Sequence, residues 1–182
     1  MRLFVGIALT SGVQGTLESW LNGLRSAFPH LRWSPPEQWH VTLQFLGETD
    51  EARCACIIER LRGIDARAVD IQLADPGFFE RAGVFHLAVG ATASLIALHD
   101  ETQDALTGCG FVPEARVYAP HITLARRKGS GRSPDFERLQ ESVRSQPLLK
   151  LASFSAKEFL LYQSFTGPAG ARYEVRERFP LM

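Results

Sequence analysis

The strongest constraint on this chain is a short phrase that it uses twice. Trp39-His40-Val41-Thr42-Leu43-Gln44-Phe45-Leu46-Gly47 is echoed about half a chain later by Pro120-His121-Ile122-Thr123-Leu124-Ala125-Arg126. Each copy runs His, β-branched residue, Thr, Leu. Val, Ile, Thr and Phe favour a pleated backbone, so both phrases read as strands. Side chains on a strand alternate between faces. Alternation puts His40, Thr42 and Gln44 on one face and Val41, Leu43 and Phe45 on the other, which makes Phe45 a core residue. His121 and Thr123 share a face in the same way, opposite Ile122 and Leu124. The same count turns Arg126 away from His121 unless the strand ends or bulges at Ala125. Two such strands side by side make a pocket with two imidazoles and two hydroxyls.

The flanking chain supplies helices and further strands. Leu3 to Leu9 reads as a buried strand, and Thr10 or Ser11 caps the next segment. Val13, Leu17, Trp20, Leu21 and Leu24 recur at helical spacing, up to Phe28-Pro29. A second helix carries Ile57, Ile58 and Leu61 and stops at Gly63. Val69, Ile71 and Leu73 alternate as a strand that Asp75-Pro76-Gly77 breaks, and Val84 to Val89 is the next strand. A helix from Ala93 to Leu106 ends at Gly108-Cys109-Gly110. Phe136, Leu139 and Val143 mark a short helix, Leu149 to Leu161 is extended, and Gly167-Pro168-Ala169-Gly170 turns it back into Tyr173 to Phe179. The order is β-α-β-α-β followed by β-α-β-α-β-β. It predicts an α+β protein of two pseudo-symmetric lobes, each an antiparallel sheet with helices on its outer face, facing a shared central cleft. Each half of the sequence supplies one His-Thr strand.

Composition narrows the function. The 182 residues, 45% of them hydrophobic, suffice for a single bilobal domain over 1–182. Twenty basic residues balance twenty acidic ones, which argues against a protein that coats nucleic acid through its overall field. No apolar run approaches the ~18 residues of a membrane span. The hydrophobic part of Arg2 to Leu9 is too short for a signal sequence. Cys54, Cys56 and Cys109 form no framework, which points to a reducing cytoplasm and to cysteines as small apolar fillers. On a helix, Cys54 and Cys56 diverge, and no Cys-x-x-Cys or His-Glu-x-x-His pattern occurs, so no metal or cofactor is expected. His30, His86 and His99 have no partner at catalytic spacing.

With its two His-x-Thr-x tetrads, the chain resembles the 2H phosphoesterase superfamily. Arg2-Leu3-Phe4-Val5, Arg32-Trp33, Pro36-Glu37-Gln38 before the first tetrad, and Tyr173-Glu174-Val175 through Phe179-Pro180-Leu181 narrow the likeness to the LigT-like RNA 2′,3′-cyclic phosphodiesterases. The resemblance implies hydrolysis of RNA 2′,3′-cyclic phosphate ends to 2′-phosphomonoesters, with reversible 2′-5′ ligation as a companion reaction. It implies His40 as proton donor, His121 as proton acceptor, and a link between Arg126 and the site. The partners so implied are RNA termini or nucleotides with a cyclic phosphate, met by a monomer.

The residue types fit that chemistry independently. Opening a cyclic phosphodiester needs a base for water and an acid for the departing ribose oxygen, and imidazole, with a pKa near ~6.5, serves as either. Thr42 and Thr123 hydroxyls suit the non-bridging oxygens. The tetrads alone do not say which histidine is acid and which is base. Trp33, Trp39, Phe79 and Tyr118 are candidates to stack a base. Arg116, Arg126, Arg127, Lys128 and Arg132 are candidates for a basic rim. A binding module without turnover, or a relative acting on another cyclic phosphate or a 2′-5′ linkage, is the alternative. A histidine pair holding zinc is a further one.

Overall fold

The computed structural model describes residues 1–129, 131–146, 153–167 and 170–182. The chain opens with β1 (Arg2–Ala8) and α1 (Ser11–Ala27). The Thr10 side chain caps α1 by accepting from the Val13 N–H, and Val13, Leu17, Leu21 and Leu24 form its buried stripe. The short strand β2 (Arg32–Trp33) and a single 3₁₀ turn at Pro36–Gln38 lead into β3 (His40–Glu48), the first His-Thr strand.

Next come α2 (Glu51–Arg62), β4 (Val69–Ile71), β5 (Leu73–Phe79), β6 (Val84–Val89) and α3 (Ala93–Thr107). The second His-Thr strand, β7 (His121–Arg126), is followed by α4 (Pro134–Arg144), β8 (Phe154–Ala156), β9 (Glu158–Gly167) and β10 (Gly170–Pro180). The extended segment expected from Leu149 falls partly outside the described residues, as do Pro168 and Ala169 of the last turn.

The strands form two four-stranded antiparallel sheets, ordered β10-β9-β1-β3 and β2-β7-β6-β5, with β4 and β8 paired apart. The lobes are not the two halves of the sequence. Both ends of the chain build the sheet of His40, and the middle builds the sheet of His121. The repeat lies in β1-α1-β3 and β6-α3-β7, where each central strand is paired with the His strand of its own lobe. The helices are exchanged across it: α3 packs beside β3, and α2 beside α3 and β10. Trp20 of α1 meets Phe85 of β6, and Phe136 of α4 meets Phe78 of β5. One buried cluster, including Leu3, Val5, Ile7, Val41, Leu43, Leu87, Ile122 and Leu124, runs through both lobes behind the His strands.

Two expectations fail here. Asp75-Pro76-Gly77 does not break a strand but lies within β5. β5 is the edge of its sheet and its register slips between Leu73 and Pro76, so no ladder bond is needed from the proline. Nor are all the cysteines fillers. Cys56 on α2 and Cys109 after α3 form a disulfide, and only Cys54 is free and buried. Sequence spacing hid the pair because its members lie 53 residues apart. Among the described residues no helix is long and apolar enough to cross a membrane.

Candidate active site

The site forms where β3 and β7 lie against each other between the two sheets. His40, Thr42, His121 and Thr123 are all half-buried, while Val41, Leu43, Ile122 and Leu124 are buried behind them. The first strand is delivered by the Pro35-Pro36 turn, where Trp39 is buried at the back under Arg25. The second is delivered by a segment without helix or strand, 109–120.

Each imidazole is held in the same way. His40 Nδ1 lies 2.7 Å from the Gln38 carbonyl, and His121 Nδ1 lies 2.9 Å from the Ala119 carbonyl, in both cases two residues upstream. A carbonyl accepts only, so each Nδ1 must carry the proton and each neutral Nε2 is left with its lone pair. Phe4 packs against the His40 ring at 4.6 Å, with Tyr173 edge-on at 5.4 Å and Tyr162 at 5.8 Å. Phe79 stands edge-on to His121 at 4.8 Å.

The two strands also bulge at the same place, which overturns part of the alternation. On β3, Gly6 faces Thr42 but Val5 faces Gln44, so Leu43 is an extra residue. On β7, His86 faces Thr123 but Phe85 faces Ala125, so Leu124 is extra. Beyond each bulge the faces exchange. Gln44 does not join His40 and Thr42; it is buried, with an unpartnered Oε1 among the described residues. Phe45 is not in the core; it faces Phe4 across the ladder and is 64% exposed. Arg126 comes to the histidine face, and its charge bears on both His40 and His121.

The electrostatics are those of a crowded imidazole cluster. Burial, together with the charges of His121 and Arg126, lowers the His40 pKa to about 4 against the Gln38 hydrogen bond. Burial and Arg126 lower His121 as well, against the Ala119 bond. Charge on His121 and charge on His40 or His86 oppose one another, so the cluster resists holding more than one proton.

His86 is the residue that sequence reasoning missed. It lies across from Thr123 on β6, its ring centroid 5.4 Å from that of His121 and stacked on Phe79 at 4.1 Å. The available signal was a lone polar residue in the apolar run Val84-Phe85-His86-Leu87-Ala88-Val89. His99 lies farther along the wall of the same cleft as His121, stacked on Tyr118 at 3.9 Å and bonded to Asp100 and Gln103.

A cleft of about 250 Å³ opens beside the pair, walled by Thr42, Phe45, Phe79, Glu114, Tyr118 and His121 among others. His40 is not among its walls, although Thr42 of the same strand is. The Tyr118 hydroxyl donates to the Thr42 carbonyl at 2.8 Å and ties the 109–120 segment to β3. Of the aromatic candidates, Phe79 and Tyr118 reach the cleft. Trp39 is buried, and Trp33 packs on Phe85 with its Nε1 donating to the Phe28 carbonyl. Of the basic candidates, Arg116 lines the cleft, whereas Arg132 pairs with Glu137 and Arg127 donates to the Arg81 carbonyl. Among the described residues no three His, Cys, Asp or Glu converge as metal ligands.

Paired imidazoles and hydroxyls on adjoining strands of a bilobal antiparallel fold define the 2H phosphoesterase class. Residues 13–164 match the 2′-5′ RNA ligase superfamily, and the chain belongs to that family. It is 31% identical to a protein of Thermotoga maritima named RNA 2′,3′-cyclic phosphodiesterase, over 96% of this chain and 92% of that one. A protein of the same name from Geobacillus stearothermophilus is also 31% identical, over 98% of this chain, although the chain spans only 57% of that relative's length. Among solved structures, E. coli LigT complexed with 3′-AMP superposes with a TM-score of 0.78 at 25% identity, covering 99% of this chain and 97% of that one.

Proposed function

We propose that this protein hydrolyses RNA 2′,3′-cyclic phosphate ends to 2′-phosphomonoesters, with residues 1–182 acting as one bilobal domain. The observation that carries the reading is the pair of Nδ1 locks on Gln38 and Ala119, which leaves two Nε2 atoms for proton transfer. In the reaction, His121 Nε2 takes a proton from water as its oxygen attacks phosphorus. His40 Nε2 gives a proton to the ribose 3′ oxygen as the P–O3′ bond breaks, and the phosphate stays on the 2′ oxygen. Thr42 and Thr123 hydroxyls and the Arg126 guanidinium meet the charge that grows on the non-bridging oxygens. A 5′-hydroxyl in place of water forms a 2′-5′ linkage by the same displacement.

The direction of proton flow depends on the substrate. Burial and the Arg126 charge make both rings resist protonation. An anionic phosphodiester between the rings favours the charged form of both, and His40 can then carry the proton that the donor role requires.

The test is an oligoribonucleotide with a 2′,3′-cyclic end, incubated with the protein and a chelator. The expected product is the 2′-phosphate, with a loss of about 10²–10⁴-fold in His40→Ala and in His121→Ala. Binding without product in the wild type defeats the reading, as does unchanged turnover in both variants.

A further inference from the structure

The two lobes differ at one position beside the histidines. On β1 the residue across from the first threonine is Gly6, where an added Cβ would lie 3.4 Å from the His40 ring and 2.8 Å from the Val41 carbonyl. On β6 the residue across from the second threonine is His86. Directly opposed residues share a face, so His86 stands on the same side as Thr123 and His121. It is 7% exposed, and its Nδ1 is buried with no partner among the described residues. Its ring fills the space over Gly77, where an added Cβ would come within 2.9 Å of the His86 Cε1. Phe79, two residues further along β5, stacks on the same ring.

We propose that His86 is a positioning residue for His121: its ring, stacked on Phe79 and seated over the bare backbone of Gly77, fixes the flank of the His121 imidazole and keeps water from it. This rests on the reading of His121 as the acceptor. A base must be neutral before it takes a proton, and an imidazole shielded from water is harder to charge. His86 does this as an uncharged ring, because burial and the charge of His121 lower its own pKa to about 4. The groups that face the pair or share its cleft are His40 from β3, Arg126 from β7, His99 from α3, and Glu114, Arg116 and Tyr118 from the 109–120 wall; β5 brings the uncharged Gly77 and Phe79. None of these fills the place of the His86 ring.

The test compares His86→Ala, His86→Phe, Gly77→Ala and the double variant Gly77→Ala/His86→Ala, by the pH profile of kcat/KM on a 2′,3′-cyclic nucleotide. An NMR titration of the His121 Cε1 proton runs in parallel. His86→Ala admits water, so the acid limb and the His121 titration both move up by about half a pH unit or more, toward the ordinary value near ~6.5. His86→Phe keeps the flank covered and leaves both where the wild type has them. Gly77→Ala pushes the ring and shifts them in the same direction as His86→Ala. In the double variant it adds nothing, because the ring it strikes is gone. If no variant moves the titration, or if Phe moves it as far as Ala, the proposal is overturned. Should the wild type turn nothing over while the NMR shifts follow this pattern, the function falls and the positioning role stands. If His86→Ala does not fold, the Phe and Gly77→Ala variants decide by the same criteria.

Discussion

Phe45 and Arg126 occupy equivalent places in the two lobes. Each stands two residues past a bulged leucine, Leu43 or Leu124, and each is thereby turned onto the histidine face. The pseudo-two-fold thus presents an aromatic surface on one side and a guanidinium on the other. A substrate with a flat base at one end and an anion beside it matches that asymmetry.

Arg126→Ala should change both rate and pH dependence. The Arg126 charge lowers both histidines, so its removal raises them. The acid limb of kcat/KM then moves to higher pH, and kcat falls by about 10²–10³-fold if the guanidinium meets the phosphate oxygens. Arg126→Lys retains the charge and should hold the limb while recovering only part of the rate. A limb that stays fixed in Arg126→Ala would place the charge out of reach of the rings.

Phe45→Ala should leave the fold alone and weaken binding. An exposed side chain is worth about 0.5 kcal/mol or less to stability, so Tm should barely move. A stacked base is worth about 1–3 kcal/mol, or about 5–150-fold in affinity. The loss should appear with a cyclic nucleotide and vanish with a base-free ribose cyclic phosphate. Equal loss on both ligands would mean that Phe45 shapes the phosphate site instead.

Acid should destabilise the protein before its carboxylates titrate. His40 and His86 are both lowered from 6.5 to about 4. Between these values the unfolded chain binds protons that the folded one refuses, so stability is complete above about pH 6.5 and is lost as pH falls toward 4. At about 1.4 kcal/mol per unit, His86 alone accounts for up to about 3 kcal/mol, and the half-buried His40 for less. Thermal melts at pH 7 and 4.5 check this: His86→Phe should flatten the dependence, and a wild-type Tm equal at both pH values would refute it.

Reduction of Cys56–Cys109 should lower Tm without abolishing the fold. Opening a loop of 53 residues restores chain entropy worth up to about 4 kcal/mol to the unfolded state. Cys56→Ser should melt at the temperature of the reduced wild type and respond no further to dithiol. Thiol titration of the unfolded, unreduced protein should find Cys54 alone; three thiols would remove the disulfide.

The histidines and threonines were legible because repetition is visible without coordinates. The lobes, their antiparallel sheets and most helices followed from hydrophobic spacing and from caps such as Thr10. What alternation misplaced lies beyond the bulges. One extra residue reverses every later side chain, and nothing in Leu43 or Leu124 advertises it. Gln44 and Phe45 therefore fell on the wrong face, and Arg126, which alternation turned away unless the strand bulged, is brought back by the bulge at Leu124. Pro76 misled because an edge strand tolerates what a central one does not. His86 and the disulfide were hidden for a shared reason: each depends on a neighbour remote in sequence, and neither belongs to a repeated phrase.

The wall segment is fastened near both ends, and in its middle the Glu114 N–H donates to Gln103 Oε1 at 2.6 Å. Arg53 donates to the carbonyls of Cys109 and Gly110 at one end, and Tyr118 is tied to Thr42 at the other. Val112 and Val117 between them lie almost fully in solvent. Side chains at 112 and 117 can therefore be exchanged, altering what the cleft wall presents to solvent, without displacing the His40 and His121 rings.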